Sequence, residues 1–360
     1  MASITPTPSL THNFATAADG TKLSYYSIGS GPGIVVVHGA MCYALSHKDL
    51  ALALSPYFTV HIISRRTRGL SGPYPDPITN CPNRACSKST PADQSTMRIA
   101  HRDIPRTYTP SHSSAVLETE VSDLHTLLTA TGSHFIISVS SGALITLSYH
   151  LTYHSPASTA EPGLLTKTIL FEPAAQFSDL DKPVSQLKYA HGLARYEEAR
   201  AAGDIISALV SALKVTQMIP PWIPDFVGKW MLKRKVVTEK AKAGKIKGEG
   251  QAGKEEGGKE DEGVTNPLEL ADCLQYDFCV GEAMVGDSER FKGIQGVEVL
   301  LMGGTESQGF LEESLNALEM LIEGSKRVVI KGIGHDGLCQ RERGGKPEFA
   351  VDEIRGFFGE

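Results

Sequence analysis

The chain has 360 residues, of which 41% are hydrophobic and 21% charged, with 35 basic and 41 acidic side chains. These values are ordinary for a globular protein and exclude a collagen-like, coiled-coil or wholly disordered chain. The net charge of −6 does not supply the basic surface that generic phosphate-backbone binding needs, so nucleic acid is not an expected partner. The length allows two domains or one enlarged α/β domain.

The N-terminal segment and the cysteines indicate in which cellular compartment the protein is expected. Residues 1–8 contain neither the basic start nor the apolar run of a signal peptide, and no apolar run approaches the length of a membrane span. Six cysteines are few for this length and form neither a CxxC pair nor a His-flanked zinc pattern: Cys42, Cys81, Cys86, Cys273, Cys279 and Cys339. The sequence therefore predicts a cytoplasmic protein with reduced thiols, no membrane span and no metal.

The first 70 residues indicate strands that alternate with a helix. A hairpin is predicted over residues 14–27, with its turn at Asp19-Gly20. Residues 33–37 and 58–63 are short apolar strands rich in β-branched residues, and residues 47–54 between them are helical in tendency. This alternation favours an open, mainly parallel sheet covered by helices.

Residues 73–114 are rich in Pro, Ser, Thr and Asn, which predicts a long surface insertion. An amphipathic helix follows from Ala115 to Gly132, because its apolar residues recur at helical spacing. A strand over residues 135–137 then runs into a Ser-rich turn and a helix from Ala143, and residues 168–171 form the next strand.

The segment from about residue 174 to 291 is helical in tendency and has no strand pattern. Within it, residues 233–263 consist largely of Lys, Glu, Gly and Ala, with charges that nearly cancel, which indicates a solvated linker that is either disordered or a frayed helix. The strand and helix pattern then resumes, with strands at 297–302 and 327–330 and helices at 311–322 and 347–358.

The turn after the strand at 135–137 has the pattern small-x-Ser-x-Gly, in the residues Ser138-Val139-Ser140-Ser141-Gly142. This pattern between a strand and a helix is typical of a nucleophile elbow, which lifts a serine hydroxyl clear of the sheet. Ser140 is therefore the predicted nucleophile. The alternative is a Ser-rich turn with no catalytic role.

A serine hydroxyl needs a base to accept its proton at neutral pH, and histidine suits this role. Among twelve histidines, His335 follows the last apolar strand in the loop Gly332-Ile333-Gly334-His335-Asp336-Gly337. A loop at this place can reach the serine from the same edge of the sheet. His335 is therefore the predicted base.

With these motifs, the chain resembles the α/β-hydrolase superfamily, whose order is nucleophile, acid, histidine. The resemblance covers about residues 13–175 and 293–360. It implies a mostly parallel eight-stranded sheet flanked by helices, with a helical cap inserted between strands 6 and 7. The corresponding division is core residues 1–175, cap residues 176–292 and core residues 293–360.

The resemblance also implies an oxyanion hole. His38-Gly39, after the strand at 33–37, resembles the oxyanion loop of the family. Ala40, together with Met41, would supply one backbone N–H donor, and Ser141 would supply the other.

The family acid commonly lies in the loop after the seventh strand, here residues 303–307. Glu306 is the only carboxylate in that loop, although the commonest aspartate pattern would fall on Ser307. Glu306 is therefore the first candidate acid. Glu172, after the sixth strand, is the substitute, and Asp336 is the third choice.

Two further sets of residues have a predicted role. Residues 65–71 resemble a basic loop of the family in a degenerate form and are assigned a structural role. Five apolar residues of the predicted cap either cover a substrate or form helix core: Met218, Trp222, Phe226, Trp230 and Met231.

The resemblance implies a serine hydrolase that cleaves a small ester, thioester or lactone through an acyl-enzyme, without a cofactor. Its partner would be a small-molecule substrate, and the sequence does not indicate an oligomeric state. The alternative is a non-catalytic or weakly active protein of this fold that binds a small molecule or a partner in the same pocket.

Overall fold

A computed structural model describes residues 9–75, 110–156, 163–174, 183–220, 222–234, 267–285 and 288–359. Within these residues a single eight-stranded sheet organises the chain. Most of the predicted insertion at 73–114, residues 76–109, and most of the predicted linker at 233–263, residues 235–263, lie outside the described residues.

The sheet has the strand order β1-β2-β4-β3-β5-β6-β7-β8. β1 and β2 form an antiparallel hairpin, β2 also pairs antiparallel with β4, and all the other neighbours are parallel. The strands are β1 (Thr11–Thr16), β2 (Lys22–Ile28), β3 (Gly33–Val37), β4 (Thr59–Ile63), β5 (Phe135–Val139), β6 (Lys167–Phe171), β7 (Glu298–Gly304) and β8 (Lys326–Ile330).

The helices connect these strands and cover the sheet. They are α1 (Lys48–Leu54), α2 (Pro110–Thr131), α3 (Ser141–Tyr153), α4 (Pro183–Ala201), α5 (Ile205–Val215), α6 (225–234), α7 (Pro267–Ala283), α8 (Gly309–Leu321) and α9 (Val351–Phe358). In the chain, α4 to α7 lie between β6 and β7. A 3-10 helix, Ala44–His47, precedes α1.

The central strands are largely apolar, as is typical of parallel strands whose two faces are both covered by helices. In β3, Val35 and Val37 pack in one apolar cluster, and Ile34 and Val36 pack in the other. This alternation follows from the period of two along a strand. The parallel strands place the chain segments that follow β3, β5, β6, β7 and β8 at one edge of the sheet.

The predicted fold class, a mostly parallel eight-stranded sheet flanked by helices, is confirmed. The strand boundaries differ from the predicted ones by at most three residues, the largest difference being the start of β1. Two helices differ more. α2 begins at Pro110, inside the stretch predicted as insertion, because its first turn is polar and gives no apolar period. α9 begins at Val351, after a 3-10 helix at Pro347–Phe349, and not at residue 347. No helix among the described residues is long and apolar enough to cross a membrane.

Candidate active site

Ser140 occupies a sharp turn between β5 and α3. Its backbone has φ 56° and ψ −120°, a region that non-glycine residues rarely adopt. The Ser140 N–H donates to the carbonyl of Phe171 at 3.0 Å, which ties the turn to the end of β6. Strain of this kind persists where the surrounding structure enforces it, and it often marks a functional position.

Two glycines make room for this turn. A Cβ atom at Gly142 would lie 2.7 Å from the carbonyl oxygen of His38, so α3 could not start so close to the end of β3. A Cβ atom at Gly39 would lie 2.7 Å from Ser140 Cβ. The loop after β3 and the turn at Ser140 therefore pack directly against each other.

The loop after β8 brings His335 to this turn, as predicted. His335 Nε2 lies 3.1 Å from Ser140 Oγ, although 195 positions separate the two residues in the chain. The His335 side chain is 14% exposed. It therefore reaches solvent, while the serine beside it is buried.

The carboxylate beside His335 belongs to Glu172, the substitute acid of the sequence analysis. Glu172 follows β6, and its Oε2 lies 2.7 Å from His335 Nδ1. Because a carboxylate accepts, Nδ1 carries the proton and Nε2 can accept from the Ser140 hydroxyl. Serine, imidazole and carboxylate thus form one hydrogen-bonded chain.

Glu172 is buried and its backbone has a φ of 45°. The N–H of Gly304 donates to its Oε1 at 2.8 Å, and the hydroxyl of Ser307 donates to the same oxygen. These donors, both from the end of β7, hold one carboxylate oxygen and leave Oε2 for His335. The orientation of the carboxylate is thereby fixed.

Glu306, the first candidate acid, does not contact His335. It is exposed, and both ring nitrogens of His335 are taken by Ser140 and Glu172. The Glu306 N–H donates to the carbonyl of Ile333, so only its backbone joins the histidine loop. Ser307, where the commonest aspartate pattern falls, instead supplies a hydroxyl to Glu172.

Asp336, the third candidate, points to a different group. Its carboxylate lies 3.5 Å from Nη2 of Arg343 and is also within 3.7 Å of Cys339 Sγ. It does not share the imidazole with Glu172. The acid at the site therefore comes from the end of β6 and not from the loop after β7 or from the histidine loop.

The predicted oxyanion loop is held by His38. Its Nδ1 lies 2.8 Å from the Gly39 carbonyl, and its Nε2 accepts the N–H of Arg65 at 3.1 Å. Burial, followed by the charges of Arg68 and Arg65, holds the pKa of His38 well below its ordinary value, so the ring is neutral. With the Gly39 carbonyl held by this ring, the N–H of Ala40 in the same trans peptide points the opposite way.

The next residue in this loop, Met41, has a φ of 56°, and its carbonyl accepts from Arg343 Nη1 at 2.9 Å. On the other side of Ser140, Ser141 is the first residue of α3. The first N–H groups of a helix have no partner within it. The oxyanion-hole roles of Ala40, Met41 and Ser141 stay a prediction.

A buried charge cluster lies beneath Ser141. Asp277, from α7, accepts the Ser141 hydroxyl at 2.8 Å and Arg65 Nη1 at 2.6 Å on one oxygen, and Arg68 Nη2 at 2.5 Å on the other. Although burial opposes its charge, the guanidinium groups of Arg68 and Arg65 hold the pKa of Asp277 below its ordinary value. Asp277 is therefore ionised over the whole neutral range.

The cluster extends to α2. Arg65 donates from Nε and Nη2 to Oε1 of Glu120, at 2.9 and 2.6 Å, and the Tyr74 hydroxyl donates to the same oxygen. Together with Asp277 and Arg68, the cluster contains two guanidinium groups and two carboxylates, all buried. The loop at 65–71, assigned a structural role from sequence, thus links α2, α7 and the start of α3.

Sequence reasoning missed Asp277 because the residue lies on α7, 136 positions from Ser141. The one signal is an acidic residue within an otherwise apolar run of that helix, residues 276–280. Ser307 had a signal too, since it occupies the position of the usual family acid. Its role as a donor to Glu172 required the structure.

The apolar residues of the predicted cap do not form helix core. Among them, Trp222 and Phe226 are 79% and 73% exposed, and Trp230 and Met231 are at least half exposed. Met218 is partly buried, and its sulfur accepts from the side chain of Gln308 at 3.5 Å. The helix-core interpretation of this set is wrong, and the lid interpretation stays a prediction.

Structural comparisons agree with the topology. The chain is similar to an α/β hydrolase from Sphaerobacter thermophilus, with a TM-score of 0.63 and 21% identity over 96% of this chain and 100% of that one. A thermophilic esterase from Thermogutta terrifontis has a TM-score of 0.54 and 16% identity, over 97% and 98% of the two chains. An enol-lactonase from Burkholderia xenovorans has a TM-score of 0.53 and 17% identity, over 97% and 100%.

No protein-family model matches the chain, and no curated protein matches its sequence. At these levels of identity the structural likeness shows the fold. The chain has the α/β-hydrolase fold, with Ser140, His335 and Glu172 brought together at the carboxyl ends of its strands.

Proposed function

We propose that this protein of α/β-hydrolase fold is a serine hydrolase that cleaves a small-molecule ester, thioester or lactone through an acyl-enzyme. The observation that carries the proposal is the hydrogen-bonded chain Ser140, His335 and Glu172, with the serine on a strained turn. This arrangement has the geometry and the group roles of a catalytic triad. The esterase and the enol-lactonase among the structural neighbours are consistent with it.

In the first half of the reaction, Ser140 Oγ attacks the substrate carbonyl carbon while His335 Nε2 accepts its proton. The carbonyl oxygen becomes an oxyanion, which the N–H groups of Ala40 and Ser141 stabilise. One such donor contributes about 10² to 10³ in rate. His335 then donates the proton to the leaving alkoxide or thiolate, and the acyl group stays on Ser140.

In the second half, a water molecule attacks the acyl-enzyme while His335 Nε2 accepts its proton. Collapse of the second tetrahedral intermediate releases the carboxylic acid, and the proton returns to Ser140 Oγ. Glu172 keeps Nδ1 protonated and stabilises the imidazolium in both halves. Because Gly304 and Ser307 hold its other oxygen, this carboxylate does not need to reorient during the reaction.

A fluorophosphonate probe tests the nucleophile. The protein and Ser148→Ala, a matched change at a partly buried serine on α3, should be labelled at equal rates, and Ser140→Ala should not be labelled. Equal labelling of Ser140→Ala would exclude Ser140 as the nucleophile. Labelling at Ser140 without turnover of any ester would favour the non-catalytic alternative.

A series of p-nitrophenyl esters of rising acyl length tests turnover. We expect a burst of p-nitrophenol equal to the enzyme concentration where deacylation is slow, followed by steady release. Ser140→Ala should lower kcat by about 10⁶-fold, the size of effect seen when a serine nucleophile is removed. The acyl length with the highest kcat/KM would describe the substrate class.

A further inference from the structure

A buried cluster of two cysteines and a histidine lies behind the loops that carry Ala40 and His335. Cys42, His47 and Cys339 are 4%, 1% and 2% exposed. The two sulfurs and one ring nitrogen of His47 lie within 4.8 Å of one another. Both cysteines are free thiols, and none of the three residues contacts the hydroxyl of Ser140.

The hydrogen bonding of His47 leaves one ring nitrogen available to a metal. Its Nδ1 lies 2.8 Å from the carbonyl oxygen of Leu338, and since a carbonyl only accepts, Nδ1 carries the proton. Nε2 then has a lone pair, and this buried atom has no hydrogen-bond partner. A histidine that binds a metal through one nitrogen usually donates the other N–H to a carbonyl or carboxylate, as here.

The chemistry of the three side chains selects the ion. Two thiolates and one imidazole suit Zn²⁺, which binds sulfur at about 2.3 Å and nitrogen at about 2.0 Å in a tetrahedron. We propose that Cys42, His47 and Cys339 bind one Zn²⁺ ion. The ligand atoms need to approach one another by at most about 1.3 Å from their present limit of 4.8 Å to reach these bond lengths.

The surrounding charges are compatible with this ion. Two thiolates and Zn²⁺ sum to zero, so the nearby guanidinium of Arg343 is not repelled. Arg343 donates to the carbonyl of Met41 and pairs with Asp336 at 3.5 Å. The Asp336 carboxylate lies 3.7 Å from Cys339 Sγ, so it or a water molecule can complete the tetrahedron.

The place of the cluster defines its role. Cys42 follows Ala40 by two residues, and Cys339 follows His335 by four, so an ion at this place joins the oxyanion loop to the histidine loop. The N–H of Gln340 already donates to the carbonyl of Ser46 at 2.7 Å, which keeps the two segments adjacent. The ion would stabilise the arrangement of these two loops and would take no part in the chemistry at Ser140.

Titration of the reduced, chelator-treated protein with Co²⁺ tests the site. We expect one equivalent to bind, with thiolate-to-metal charge-transfer absorption and the visible bands of a tetrahedral ion, both of which Zn²⁺ should abolish. Cys42→Ser, Cys339→Ser and His47→Gln should each weaken binding at least tenfold. Cys279→Ser, at a buried thiol on α7, is the matched control and should bind as the unchanged protein does.

Alkylation of the unchanged protein gives a readout that does not depend on the folding of variants. Under partial denaturation, Zn²⁺ should slow iodoacetamide labelling of Cys42 and Cys339, measured by peptide mass spectrometry, and leave Cys279 unaffected. Absence of a one-to-one Co²⁺ complex, or equal protection of Cys279, overturns the proposal. A Cys42 to Cys339 disulfide that forms in air, without any metal complex in the reduced protein, also overturns it.

Discussion

Ser140 and Ser141 are neighbours in the chain, yet two different sets of charged side chains hold them. Ser140 meets His335, which is 14% exposed and backed by one carboxylate, Glu172. Ser141 meets Asp277, which is 4% exposed and lies between the guanidinium groups of Arg65 and Arg68. The first set joins an imidazole to one carboxylate, and the second set is a buried network of opposite charges.

The two sets therefore have different roles at the turn between β5 and α3, one in proton transfer and one in positioning. Proton transfer, the role proposed for His335, requires a group that can accept a proton and then donate it. Positioning requires groups that stay charged, and Arg65 and Asp277 stay charged because burial is offset by opposite charges on both sides. The predictions below separate the two sets, from the largest expected effect to the smallest.

Glu172→Gln should damage catalysis with little effect on folding. The amide can present its NH₂ group to Nδ1, which favours the tautomer with the proton on Nε2, so His335 can no longer accept from Ser140. We expect kcat to fall by about 10³ to 10⁴-fold, as for the neutral substitution in other serine triads. Ester hydrolysis at saturating substrate measures this change.

Glu306→Gln is the matched control for this experiment, since Glu306 is exposed in the loop where the family acid commonly lies. Its kcat should stay within twofold of the unchanged protein. If Glu306→Gln lost more activity than Glu172→Gln, the assignment of the acid to the end of β6 would be wrong.

Asp277→Asn should damage folding more than proton transfer. The substitution removes the negative charge between Arg65 and Arg68, and a buried pair broken in this way costs about 3 to 5 kcal/mol of stability. Urea unfolding measures the loss. Asp272→Asn, on the same helix but half exposed and 3.5 Å from Arg200, should change stability by less than about 1 kcal/mol.

The distinction between the two sets would be wrong if Asp277→Asn left stability unchanged and lowered kcat as strongly as Glu172→Gln does. Activity of Asp277→Asn is therefore measured under conditions where the variant is fully folded. A loss of kcat there that does not exceed tenfold is the expected result.

The sequence predicted the first set better than the second for physical reasons. Ser140 and His335 lie in local motifs, a strand-turn-helix pattern and a glycine-rich loop, so their chemistry is visible in a few adjacent residues. The acid, by contrast, depends on which carboxylate can reach the imidazole across two loops. In the structure Glu172 faces His335, and Glu306 does not. The partners of Arg65 come from α2 and α7, which no local pattern joins to residue 65.

The proposed zinc cluster shows the same limit. Its three residues, at positions 42, 47 and 339, lie in two segments separated by almost the whole chain, so no zinc spacing is present in the sequence. The fold brings them together because the loop after β3 and the loop after β8 both start at the same edge of the sheet.

Ser307→Ala should have an intermediate effect on the first set. The change removes one donor from Oε1 of Glu172 and leaves the Gly304 N–H. A hydrogen bond to a charged group contributes about 1.5 to 3 kcal/mol, so kcat should fall by about 10 to 100-fold if the carboxylate becomes misoriented. KM should change little, and Ser307→Thr, which keeps the hydroxyl, should restore most of kcat.

The smallest effect concerns the pH dependence of stability. If the set around Ser141 does not titrate, the loss of stability in mild acid must come from other groups, and His150 on α3 is one of them. Burial, followed by the charge of His154, lowers the pKa of His150 to about 3, and its Nε2 lies 3.0 Å from the Thr168 hydroxyl. Between pH 7.5 and 5.5 the unfolded chain therefore binds a proton at this residue that the folded chain does not.

Stability should fall as the pH decreases through this range, because the unfolded state gains the proton. One histidine of this kind contributes about 1.4 kcal/mol to the fall. His150→Gln should be less stable at both pH values but should show a fall smaller by that amount, measured by urea unfolding at each pH. His191→Gln, at an exposed position on α4, should show the full fall. If the decrease in stability were unchanged in His150→Gln, the imidazole of His150 would already be protonated in the folded protein. A charged group beneath α3 would then have to stabilise it.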